Sequence, residues 1–99
     1  MGTCINYEER AALLKALAHP VRLQIVHCLM TTGCRNVGCL EKSIGMSQSC
    51  ISQHLQKLRT AGVVVPERSG NEVYYRAASR EAASLVAALM GEEAERYVL

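Results

Sequence analysis

The chain has 99 residues, 49% hydrophobic and 20% charged, with a net charge of +2. That length makes one domain, residues 1–99, with a modest core, and the balance excludes a disordered chain. The longest apolar run, Leu85 to Met90, is far short of the roughly 20 residues that cross a bilayer. Met1 to Arg10 is polar, carries Glu8 and Glu9, and does not read as a secretory signal. The expectation is a soluble cytoplasmic protein with no membrane partner.

Asn6 followed by Glu9 has the form of a capping box, and Ala11, Leu14, Leu17 and Ala18 recur at helical spacing behind it. His19-Pro20 ends that helix, and Pro20 fits the first turn of the next. The second helix carries Leu23, Val26 and Met30 on one stripe, with Ile25, Cys28 and Leu29 beside it, and stops near Thr31-Thr32-Gly33. Cys34 to Asn36 reads as a loop. Asn36 then caps a short helix, Val37 to Ile44, that Gly45 ends. Ser47 caps a further helix, Gln48 to Ala61, with Ile51, Leu55 and Leu58 on its inner face and Gly62 as its stop. Val63 to Arg68 and Val73 to Ala77 read as strands around a Ser69-Gly70-Asn71 turn. Ser79 caps a last helix with Ala82, Leu85, Val86, Leu89 and Met90 on one apolar stripe.

The charge is unevenly spread. Residues 1–33 carry three basic and two acidic side chains, residues 34–80 seven and three, and residues 81–99 one and four. A basic middle points weakly to a polyanion, and an ordinary solvated surface explains the same arithmetic. The element order is mainly α with a β-hairpin. Two helices joined by a short Gly-containing turn and followed by a hairpin fit a winged helix-turn-helix.

Leu17-Ala18-His19-Pro20-Val21-Arg22-Leu23-Gln24-Ile25 resembles a signature of the ArsR/SmtB repressors, and Gly45 to Leu55 resembles their recognition helix. Leu58 to Val64 and Val73 to Arg76 resemble the segments around their wing, so the likeness covers roughly residues 10–80. It implies a homodimer, paired through the terminal helices, that binds a pseudo-palindromic operator in double-stranded DNA and needs no cofactor to do so. No enzyme constellation is visible: His19, His27 and His54 lie in helical or pre-helical signatures without a nucleophile or carboxylate partner.

Ser47, Gln48, Ser49, Ser52 and Gln53 are short or amide side chains suited to base edges and phosphates in a major groove. Lys57 and Arg59 further along suit phosphates. Arg68, Asn71 and Arg76 surround the hairpin tip, where Arg68 and Asn71 are candidates for the adjacent minor groove or its phosphates. Relatives often carry an extra Arg at the tip, where Asn71 stands here, so weaker wing contacts are expected.

Five cysteines are many for this length. Cys28 replaces an apolar residue and reads as filler; Cys50 reads as a small packing or DNA-proximal residue. Cys34 in a loop and Cys39 in a first helical turn can converge, and the positive end of a helix favours a thiolate. The resemblance implies a thiolate sensor at this helix, joined by Cys4 from the N-terminal arm, for an inducer such as As(III) or another thiophilic metal ion. The relatives' Cys-x-Cys at this helix is absent, and a redox or persulfide switch through Cys34 and Cys39 is the alternative. The family's other site, zinc on the last helix, lacks ligands, since residues 79–99 hold no His and no Asp. A different class of reading is a winged-helix module that binds protein and not DNA; it predicts no salt-dependent DNA binding.

Overall fold

The computed structural model describes residues 4–91. Every helix starts on a side chain that accepts a backbone N–H bond, because the first turn leaves donors without intrahelical partners. Asn6 opens α1 (Tyr7–Leu17), its Oδ1 accepting from the Glu9 N–H at 3.0 Å. His19 opens α2 (Pro20–Thr32), its Nδ1 accepting from the Val21 N–H at 3.1 Å. Asn36, Ser47 and Ser79 do the same for α3 (Val37–Ile44), α4 (Gln48–Thr60) and α5 (Arg80–Leu89). Gly45 ends α3 at φ +81°, a left-handed conformation that a Cβ would disfavour. The chain turns there through Met46 directly into α4.

The hairpin pairs β2 (Val64–Ser69) with β3 (Glu72–Ala77), Val64 opposite Ala77 and Ser69 opposite Glu72. Of the two loop residues, only Gly70 has positive φ, +63°, the pattern of a II′ turn. The segment expected to be a loop before α3 is different. Arg35 and Asn36 form a short strand, β1, antiparallel to β3 and opposite Tyr75 and Tyr74. The sheet order is therefore β1-β3-β2. Two residues are too few for an alternating pattern, and their partner lies far along the chain.

The core centres on α2. Ile25, Val26, Leu29 and Met30 are fully buried against Leu40, Ile51, Leu55 and Leu58 from α3 and α4, with the two valines Val63 and Val64 leading into the hairpin. Each such side chain contributes about 1.5–3 kcal/mol by leaving water. Cys28 packs against this cluster but is only half-buried. Tyr75 packs on it too, while Tyr74 is half-buried without joining it.

The terminal helices are only half used. In α1 only Ala16 and Leu17 are buried, and Leu14 is 56% exposed. The single stripe expected in the last helix divides. Ala82, Ala83, Val86 and Ala87 face the core, whereas Leu85, Leu89 and Met90 point to solvent. The alanines form the packed face, so the large residues four apart, Leu85 and Leu89, make a second face.

Candidate nucleic-acid interface

The short turn between α3 and α4 fixes one helix against the other, and burial on α4 is one-sided. Ile51, Leu55 and Leu58 are inside, while Gln48, Ser49, Ser52, Gln53, Lys57 and Arg59 are exposed. At about 100° per residue, Ser49, Gln53 and Gln56 lie in line opposite the buried stripe, with Ser52 and Lys57 at its flanks. Gln56 is exposed and belongs to this face, although the sequence reading passed over it. The signal was available: it follows Ser49 by seven residues and Gln53 by three. Ser47 is exposed, but its hydroxyl already accepts from the Cys50 N–H at 3.3 Å. Gln48 and Arg59 sit closer to the buried side by the same angular count.

Among the described residues Lys57, Arg59 and Arg68 form no ion pair. Lys57 and Arg59 lie in the last turn of α4, where the negative end of the helix favours cations. The wing holds Arg68 and Asn71 exposed beside the turn. Arg76 is different: its Nε is bonded to Glu67 Oε2 at 2.7 Å across the hairpin. One of the expected wing cations is thus neutralised within the sheet. The pair is well exposed and adds little stability.

The middle of α4 is tied down by His54. Arg22 Nε donates to His54 Nδ1 at 3.2 Å, and the His54 and His19 rings lie 4.3 Å apart, tilted by 46°. Burial first, then the neighbouring His19, then Arg22 hold His54 below the ordinary histidine range, because each disfavours a charged ring.

The cysteine segment is joined to the wing. Asn36 Oδ1 accepts from the Cys39 N–H at 2.8 Å, and its Nδ2 donates to Glu72 Oε1 at 2.6 Å. One side chain therefore starts α3 and grips β3. Cys34 is exposed just before β1, Cys39 is half-buried in the first turn of α3, and Cys4 is exposed ahead of α1. All five thiols are free. The structure does not gather Cys4, Cys34 and Cys39: among the described residues no three His, Cys, Asp or Glu side chains form a group that holds a metal ion. No helix among them is long and apolar enough to cross a membrane.

An open groove of ≈ 970 Å³ runs between α1, the end of α4 and the start of α5. Arg10, Leu13, Leu14, Glu81 and Leu85 are among the residues that line it.

Among the described residues, five helices, a tight α3–α4 turn and a three-stranded sheet whose β2–β3 hairpin is the wing define a winged helix-turn-helix. The family model described as "Bacterial regulatory protein, arsR family" matches residues 19–65. The biofilm growth-associated repressor of Xylella fastidiosa is 46% identical over 81 residues, covering 82% of this chain and 70% of that protein. The repressor SmtB of Mycobacterium tuberculosis is 47% identical over 74 residues, covering 75% of this chain and 54% of that one. HlyU from Vibrio cholerae superposes with a TM-score of 0.81 at 34% identity, covering 90% of this chain and 96% of that one. BigR from Xylella fastidiosa gives 0.78 at 44% identity, with 86% of each chain covered. The chain belongs to the ArsR family of bacterial transcriptional regulators.

Proposed function

We propose that the chain is a homodimeric repressor that reads a pseudo-palindromic operator with α4 and is released when a thiol-reactive inducer occupies Cys34 and Cys39. The observation that carries the reading is the one-sided helix α4, whose exposed face is polar and whose inner face is aliphatic. Ser49, Ser52, Gln53 and Gln56 face base edges; Gln48 and Ser47 approach the groove from the helix start. Lys57, Arg59 and Arg68 meet phosphates, and Asn71 lies at the wing tip.

Dimerisation is supported by the apolar side chains left in water on the two terminal helices, Leu14, Leu85, Leu89 and Met90. A second copy covers them by a two-fold axis and sets two α4 helices at half-site spacing. The groove between α1 and α5 is continuous with that surface.

The switch reading is supported by the double grip of Asn36 on Cys39 and Glu72. Chemistry at Cys34 or Cys39 strains both the start of α3, which carries α4, and the attachment of the wing. Arsenite supplies one form of that chemistry: three thiols bond to As(III) as three waters leave. It requires Cys4 to be brought to the pair. An oxidant such as a polysulfide supplies another, taking two electrons and two protons as Cys34 and Cys39 join. Arsenite and a polysulfide are each titrated into the protein–operator complex. Cys34→Ser and Cys39→Ser are expected to bind operator and ignore both agents, and Cys4→Ser to lose only the arsenite response. Release of the operator by the Cys34→Ser/Cys39→Ser double variant removes this pair as the sensor.

A further inference from the structure

One guanidinium joins three helices at the back of α4. Arg22 donates from Nε to His54 Nδ1 on α4, and from Nη1 to the Ala16 carbonyl in the last turn of α1, both at 3.2 Å. Arg22 itself stands in the first turn of α2. Its planar fork suits two acceptors at once, which a lysine ammonium on a flexible stem does not reproduce. The His54 ring leans on His19, whose Nδ1 caps α2. Both rings therefore use Nδ1 as an acceptor, and each loses that bond on protonation. Among the described residues, the charged or titratable groups acting on the His54 ring are His19 and Arg22, both from the α2 side; α1 contributes the Ala16 carbonyl through Arg22, and α3 and β2 contribute none.

We propose that Arg22 is the positioning residue of α4, locking it to the α1–α2 corner through the neutral His54 ring, so that protonation of that ring opens the lock and weakens operator binding. The proposal rests on the reading of α4 as the helix that enters DNA. A proton on His54 removes the acceptor and sets a new cation against Arg22, with His19 on the other side. The ring escapes by swinging toward water, and α4 moves with it. The locked arrangement binds the proton less readily than the open one, as the depressed pKa of His54 requires. Operator affinity is therefore complete above the depressed His54 pKa of the free protein and falls as pH drops through it, by at most about tenfold per pH unit for one proton. Plain electrostatics has the opposite sign, since added positive charge tightens binding to phosphates.

The test uses the full chain and a duplex that it selects from a random-sequence pool at neutral pH. Affinity is measured by fluorescence anisotropy from about pH 7.5 down to the lowest pH at which the protein stays folded, at constant ionic strength, and a progressive loss of at most about tenfold per pH unit is expected. His54→Asn offers an Oδ1 acceptor that does not titrate, and is expected to flatten that profile. Arg22→Lys is expected to bind more weakly at neutral pH and to flatten it as well. A second readout needs no DNA: the His54 ring, followed by NMR in the free protein, titrates below the ordinary range and moves up toward it in Arg22→Met. Affinity that holds or rises as pH falls overturns the proposal. So does an unchanged profile in His54→Asn, or an ordinary His54 titration in both wild type and Arg22→Met. A wild type that selects no duplex overturns the DNA reading instead, while the NMR titration still reports whether Arg22 holds the ring.

Discussion

Leu89→Glu separates the stability of one chain from the stability of the pair. Leu89 is 69% exposed on α5, so in a lone chain the substitution removes little buried surface and leaves the fold intact. In a two-fold dimer the same side chain is covered in both copies. Burying what is still exposed is worth roughly 1–2 kcal/mol per copy, since full burial of a leucine contributes about 1.5–3 kcal/mol. Two copies make roughly 2–4 kcal/mol, or about 30- to 700-fold in dissociation constant at 1.4 kcal/mol per tenfold. Two facing carboxylates add their own desolvation cost. Sedimentation velocity at micromolar concentration is expected to show a dimer for wild type and a monomer for Leu89→Glu. Far-UV circular dichroism should keep its helical shape. Operator affinity should fall steeply, because one half-site gives up the effective concentration that the paired site enjoys. A Leu89→Glu protein that remains dimeric, or a monomer that binds operator as tightly as wild type, would falsify the pairing argument.

Gln53→Ala and Ser49→Ala should each weaken operator binding by about 1–3 kcal/mol while sparing non-specific DNA, as competition assays with both duplexes would show. Lys57→Ala should instead weaken all DNA alike and lower the slope of log affinity against log salt by about one; an unchanged slope removes Lys57 from the phosphate contacts. Asn36→Ala should cost about 1–2 kcal/mol in urea unfolding, through loss of the α3 cap and of the bond to Glu72. If its midpoint matches wild type, the α3–wing grip is not formed in solution.

Helix starts were legible because their cause is local. Asn6, Asn36, Ser47 and Ser79 accept from donors within three residues of themselves and Pro20 stands in the first turn of α2, so each boundary is written where it is used. The polar face of α4 was legible for the same reason: helical periodicity alone turns Ser49 and Gln53 away from Ile51 and Leu55, and would have added Gln56. The II′ turn at Gly70 follows from one residue's tolerance of positive φ. What lay beyond reach depended on groups brought together from distant parts of the chain. β1 exists because Arg35 and Asn36 meet the free edge of β3, a pairing that two residues cannot announce. Arg76 carries a charge in any sequence count, and only the hairpin register hands it to Glu67. The apolar stripe of α5 was visible as composition. Its division into an alanine face toward the core and a leucine face toward water was set by how the helix settles on the body of the protein. The Arg22–His54–His19 contact spans 32 residues between its hydrogen-bonded partners. No local rule predicts it, because its geometry is fixed only when α1, α2 and α4 have packed.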